Sequence, residues 1–286
     1  MAKKRNGSKK AKSSQASSRY ILSNAPIQPA LKFRIEESYK SIRANIMFSV
    51  MKKGCKRIIV TSSAPHEGKT TTTVNLAVTI SQADQRVLLI DGDLRKPKIH
   101  HYFTVPNSPG LTNHLGNIIS GKDAADFFGV IRPTEYENLS ILCSGSIPPN
   151  PAELLGSEIM SEFLDKASKY FDYIIIDTPP INVVSDALPL IRESDGVVLV
   201  VRSNQSTHPE LQKALSSLEF IDAKILGFVV NFVESKANKF YSKGSYGRYG
   251  RYNSYGTYGT YGGYSGYGNY GGYKSYKSYS SYEPRS

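Results

Sequence analysis

At 286 residues, with 40% of them hydrophobic, the chain is long enough for one sizeable core flanked by tails. Its formal charge of +12 sits at the ends: residues 1–34 carry +9 with no acid, residues 241–286 carry +5, and residues 35–240 are left at −2. That distribution argues against a basic domain face reading nucleic acid, and the two isolated cysteines, Cys55 and Cys143, exclude a disulfide framework or a cysteine metal site.

Residues 1–34 read as a basic flexible arm, because their first twenty residues offer too little apolar surface to offset chain entropy. Such an arm suits an anionic membrane surface, an acidic partner or simple solubility equally well. Lys3–Lys12 is followed by no apolar stretch, and no run is long enough to span a bilayer, so a cytoplasmic chain is expected. Apolar residues at Ile35, Tyr39, Ile42, Ile46 and Val50 have helical spacing and open the globular part. Arg57–Thr61 predicts a buried strand, Lys69 to about Gln82 a helix, and Val87–Ile90 the next strand. Leu139–Leu142, Tyr173–Ile176, Val197–Val201 and Ile225–Val230 continue the strands, with helices near 152–169 and 209–219. Near-continuous apolar strands alternating with helices imply an α/β fold over residues 35–240, a mostly parallel sheet with helices on both faces. Ligands of such sheets bind at the carboxyl ends of the strands.

The polar motifs fall at those ends. After the first strand comes Ser62-Ser63-Ala64-Pro65-His66-Glu67-Gly68-Lys69-Thr70, a phosphate-binding loop in which Ser63 stands where the first glycine is expected. Backbone amides and a helix N-terminus suit the phosphates of ATP, so Ser63, Ala64, Pro65, His66, Glu67, Gly68, Lys69, Thr70 and Thr71 are assigned to the nucleotide. Lys69 neutralises phosphate charge, and the Thr70 hydroxyl is expected on Mg²⁺. Asp91 and Asp93 leave the second strand and Asp177 leaves another. Buried carboxylates at apolar strand ends need a cation, which Lys69 and Mg²⁺ supply, so Thr70, Asp91, Asp93 and Asp177 form the expected metal set. Arg95 either steadies the transferring charge or pairs with Asp91 or Asp93. Arg202 and Asn231, at the ends of their strands, are candidates for the nucleotide base. The five histidines, His66, His100, His101, His114 and His208, form no ligand array.

Fourteen of the 20 tyrosines lie in residues 241–286. Thirteen recur at every third position: Tyr246, Tyr249, Tyr252, Tyr255, Tyr258, Tyr261, Tyr264, Tyr267, Tyr270, Tyr273, Tyr276, Tyr279 and Tyr282. Period three matches neither strand alternation nor the helical repeat, and the interleaved glycines oppose both, so a disordered tail is expected. Beside a nucleotide site, a row of phenols points to phosphoacceptors. A phenol is protonated at neutral pH, so its attack on the γ-phosphoryl needs a carboxylate, assigned to Asp91 with Asp93 in support. The other reading of the tail is an interaction module that stacks or condenses through its aromatics.

The loop at 62–70, the acidic segment Leu88–Arg95, Asp177-Thr178-Pro179-Pro180 and the run Gly145–Leu155 together resemble the bacterial tyrosine kinases of capsule and exopolysaccharide synthesis. The resemblance covers about residues 35–240 and the tyrosine cluster. It implies a P-loop NTPase-like fold, with Lys69 and Thr70 in Walker A, Asp91 and Asp93 in Walker A′, and Asp177 in Walker B. It implies autophosphorylation in trans, protein substrates in polysaccharide synthesis, and a separate membrane activator whose cytoplasmic tail docks on the kinase. It also implies a ring-shaped homo-oligomer through Glu37-x-x-Lys40-x-x-Arg43, where Lys40 replaces an arginine and weakens bidentate pairing. Location at the inner face of the membrane, through that partner, follows. The related partition and cell-division ATPases are the alternative; their loop carries an additional lysine where this chain has Ala64.

Overall fold

The computed structural model describes residues 29–121 and 126–233. The chain divides into two units, Met1–Ser235 and Lys236–Ser286, and all described residues lie in the first. Residues 1–28 of the expected arm and every candidate phosphoacceptor tyrosine lie outside the described residues.

A seven-stranded sheet organises the described fold, in the order β3-β4-β2-β5-β1-β6-β7. Its strands are β1 (Lys56–Ser62), β2 (Val87–Asp91), β3 (Arg132–Pro133), β4 (Leu139–Leu142), β5 (Tyr173–Asp177), β6 (Gly196–Arg202) and β7 (Ile225–Asn231). All pairings are parallel except that of β3 with β4. The central strands read as unbroken apolar runs because both faces are covered, which the burial of every residue in β2 and β5 bears out. On one face α1 (Pro29–Ser49), α2 (Lys69–Ser81) and α3 (Ile99–Tyr102) pack Ile46, Val74, Leu76 and Ile99 against Ile58, Val60, Leu89 and Ile175. On the other, α4 (Leu111–Ile119), α5 (Pro151–Leu155), α6 (Glu158–Ala167), α7 (Leu188–Arg192) and α8 (His208–Phe220) cover Ile59, Leu88, Ile90, Ile174 and Leu199. Each such aliphatic contributes about 1.5–3 kcal/mol on burial.

Two sequence expectations change. The helix expected over 152–169 is two helices: α5 ends at Gly156, and Ser157 caps α6 by accepting a hydrogen bond from Met160 N. The first helix begins at Pro29, six residues earlier than the apolar spacing suggested. No helix among the described residues is long and apolar enough to cross a membrane. The sheet register places Asp91 directly beside Asp177. The carboxyl ends of β1, β2, β5, β6 and β7 thus bring together Ser62, Asp91, Asp177, Arg202 and Asn231.

Candidate functional site

The loop between β1 and α2 turns through two left-handed residues, His66 at φ +66° and Gly68 at φ +86°. Gly68 is required there twice over. Its φ suits a residue without Cβ, and an added Cβ would stand 2.2 Å from Asn231 Nδ2. The turn delivers Lys69 and Thr70 to the first positions of α2, where both side chains are buried toward the ends of β2 and β5.

Asp177, 1% exposed, gathers that end of the helix. Its Oδ1 accepts from Lys69 Nζ at 2.8 Å and from Thr73 Oγ1 at 3.1 Å, and its Oδ2 accepts from Thr70 Oγ1 at 2.6 Å. Asp93 Oδ2 lies 3.9 Å from the same ammonium. Asp91 is fully buried, with Oδ2 accepting from the amides of Lys98 and Ile99 at 2.9 Å each and Oδ1 from Asp93 N at 3.3 Å. Burial first, and the neighbouring Asp177 charge second, push the Asp91 carboxyl up to about 7 against the pull of those amides and Lys69. Burial also raises Asp93, opposed chiefly by Lys69.

Two carboxylates, Asp177 and Asp93, lie within 4 Å of the Lys69 ammonium, with Asp91 beside Asp177 in the sheet register. The donors on offer are hydroxyl and carboxylate oxygens, which suit a hard cation such as Mg²⁺. Among the described residues no three acids, cysteines or histidines close on one point, so the protein offers part of a coordination shell. That is the arrangement an ion completed by phosphates and water requires.

Other expected residues take different places. Arg202 Nη1 donates to His66 O at 3.1 Å, and Asn231 Nδ2 to Glu67 O at 3.3 Å, so both side chains reach the loop backbone. Arg95 makes a two-pronged pair with the buried Asp186, at 2.6 and 3.0 Å, rather than with Asp91 or Asp93. Thr71 Oγ1 shares a hydrogen bond of 2.8 Å with Tyr102 OH on α3. Glu37 and Lys40 pair at 2.7 Å on the exposed side of α1, whereas Arg43 donates to Thr79 O of α2 at 2.7 Å within the same chain. Sequence reading missed Ser206 and Phe232, and it placed Glu67 at the nucleotide with no task for its carboxylate. Glu67 accepts from Ser63 Oγ and Ala64 N, each at 2.8 Å, and from Ser206 Oγ. Arg202 lies 4.1 Å over the Phe232 ring. Ser206 carries no motif, and only the fold brings it to the loop.

The family described as an AAA domain matches residues 56–226. Tyrosine-protein kinase YwqD of Bacillus subtilis (strain 168) is 42% identical over 68% of this chain and 80% of its own length. This chain belongs to the bacterial tyrosine kinases. Tyrosine-protein kinase CpsD of Streptococcus pneumoniae serotype 4 is 38% identical to the kinase over 74% of this chain and 92% of CpsD. The crystal structure of the chimerical protein CapA2B2 superposes with a TM-score of 0.68 at 37% identity, covering 77% of the kinase and 92% of that chain. MinD of Pyrococcus horikoshii OT3, complexed with Mg-ADP, is more distant, at a TM-score of 0.51 and 25% identity over 64% of the kinase and 72% of MinD. The kinase is therefore a nucleotide-binding P-loop protein, closer to the tyrosine kinases than to this septum site-determining protein.

Proposed function

We propose that this tyrosine kinase transfers the γ-phosphoryl of ATP to the tyrosine row of a neighbouring copy, and that this autophosphorylation regulates capsular or exopolysaccharide synthesis. The observation that carries it is the convergence of Lys69, Thr70, Asp93, Asp91 and Asp177 at the start of α2. In the geometry described, Lys69 and Thr70 are both held by Asp177. Binding of ATP gives Lys69 phosphate oxygens as a second set of partners, so the lysine moves from structural ion pair to charge neutraliser. Thr70, Asp93 and Asp177 are the residues proposed to hold Mg²⁺ and its waters, with Asp91 beside them; the ion bound there neutralises phosphate charge. Asp91 accepts the phenol proton: its pKa near neutrality matches a base that must take a proton from tyrosine and release it again. Asp93, less deeply buried, orients the incoming hydroxyl. Arg202 and Asn231 stand at the rim of the nucleotide site.

The exposed Glu37–Lys40 side of α1 is proposed as the contact of a homo-oligomeric ring, with Arg43 securing that helix from within. The likeness to the chimerical CapA2B2 supports a second polypeptide as activator. We assign it a membrane span and a cytoplasmic tail, which would hold the kinase at the inner face of the membrane.

Incubating the full chain with γ-labelled ATP and Mg²⁺, alone and with an activator tail, tests the reading. Label is expected on tail tyrosines of the wild type and absent from Lys69→Ala. Release of free phosphate with no labelled tyrosine under either condition would instead describe an ATPase switch.

A further inference from the structure

Glu67 has no place in the chemistry above, yet its position demands one. Its carboxylate is 1% exposed, inside a loop whose amides are suited to anions, and a buried negative charge there opposes phosphate binding. The partners the structure gives it are Ser63 Oγ, Ala64 N and Ser206 Oγ, two hydroxyls and an amide rather than a cation. Three donors satisfy a carboxylate without neutralising it, so shape rather than charge balance is what the contacts provide.

That shape extends to the strand ends. Ser206 Oγ also accepts from Arg202 N at 2.7 Å, which joins the Glu67 carboxylate to the end of β6. From there the Arg202 guanidinium takes His66 O, and from β7 Asn231 takes Glu67 O. In a planar trans peptide the N–H points opposite to the C=O. With both carbonyls drawn outward to Arg202 and Asn231, the amides of Glu67 and Gly68 face the other way, into the loop.

We propose that Glu67 and Ser206 are positioning residues for ATP: they lock the phosphate loop to the β6–α8 turn, so that its amides are aimed before the nucleotide arrives. The proposal rests on the reading of this loop as the ATP site. In this proposal Glu67 acts through the loop amides rather than on phosphate or phenol directly.

The test compares wild type, Ser206→Ala, Glu67→Gln and Glu67→Ala as full chains, by ATP dependence of tail phosphorylation and by equilibrium titration with a fluorescent mant-ATP. Gln retains a carbonyl for the two hydroxyls but presents an NH₂ to Ala64 N–H, and Ser206→Ala removes one donor. Each is expected to raise KM for ATP and Kd for mant-ATP about 3- to 10-fold, and Glu67→Ala more than 10-fold, with kcat at saturating ATP within about twofold. Equal or tighter binding by Glu67→Ala overturns the brace, because charge repulsion then outweighs geometry. A fall in kcat at unchanged KM overturns it too. Should Glu67→Ala fail to fold, Ser206→Ala decides alone, since it lies outside the loop. Failure of the functional reading looks different: the wild type itself would then bind no mant-ATP or label no tyrosine.

Discussion

Asp91, the proposed base, is a residue whose ionisation works against the unliganded fold. Its folded pKa of about 7 lies above the ordinary 3.8, so the fold favours the neutral acid. Whatever stability the neutral form gives is complete below pH 3.8 and is lost as pH rises toward and through 7. A rise of that size corresponds to at most about 4 kcal/mol. Asn in its place cannot ionise, yet its side-chain oxygen still accepts from Lys98 N and Ile99 N, the two 2.9 Å bonds. Asp91→Asn should therefore melt several degrees higher than wild type at pH 7.5 without nucleotide, and the gap should close near pH 4. Its tyrosine phosphorylation should drop by about 10²-fold or more, as loss of a general base does. Thermal melts across pH, paired with label incorporation, check both halves; a variant less stable at pH 7.5 would show the charge to be welcome in the apo site.

At the scale of elements, the seam between α1 and α2 connects the expected assembly helix to the phosphate loop. Arg43 donates to Thr79 O, and the buried Tyr39 hydrogen-bonds the side chains of Thr72 and Asn75, all on the helix that begins with Lys69. Glu37 and Lys40, each about half exposed, pair with each other and, among the described residues, form no other ion pair. An exposed pair is worth about 0–1 kcal/mol, a charge-assisted bond to a part-buried carbonyl about 1.5–3. Arg43→Ala should accordingly lower the melting temperature of dilute, monomeric protein by roughly 3–10 °C, and Lys40→Ala by no more than about 2 °C. Equal, negligible shifts would make Arg43 an assembly residue and nothing else. From sequence, Glu37-x-x-Lys40-x-x-Arg43 looked like one surface, because spacing along a helix does not say which side faces the core. Parallel strands were legible because full burial writes itself as runs such as Leu88-Leu89-Ile90. The helices α3 and α7, of four and five residues, are too short to show a period, whereas Leu111, Leu115, Ile118 and Ile119 give the nine-residue α4 a helical spacing that was legible and passed over. The two residues of β3 include Pro133, which pattern reading removes from strands although a sheet edge tolerates it. At the site, Lys69, Asp91, Asp93 and Asp177 were legible as motifs, whereas the partnerships of Glu67 with Ser206 and of Arg95 with Asp186 join residues 139 and 91 positions apart.

For the whole molecule, charge and reach set the direction of the chemistry. Residues 35–240 carry −2 and residues 241–286 carry +5, with thirteen regularly spaced phenols proposed as the acceptors. Each phosphate brings about −1.5 to −2 at neutral pH, so three or four cancel the tail's charge and reverse it. An unmodified tail is thus expected to be drawn to an acidic site, and a modified one to be repelled by it. The reversal is expected to loosen the oligomer, so sedimentation should resolve smaller species after phosphorylation, and a chain with all thirteen tyrosines replaced by Phe should not change on incubation with ATP.

The proposed transfer between copies separates the donor of the site from the donor of the tail, which permits a mixing experiment. One chain carries Lys69→Ala with its tyrosines intact; the other keeps Lys69 but has Phe at all thirteen tail positions. Neither should label its own tail, for want of a working site or of an acceptor. Together, with γ-labelled ATP, Mg²⁺ and the activator tail, label should appear on the Lys69→Ala chain at an initial rate that rises with the concentration of its partner. Because the Phe chain still supplies a complete set of Lys69, Thr70, Asp91, Asp93 and Asp177, silence in the mixture would mean that a site serves only the tail of its own chain. The charge-reversal argument would then act within single molecules and would no longer bear on the oligomer.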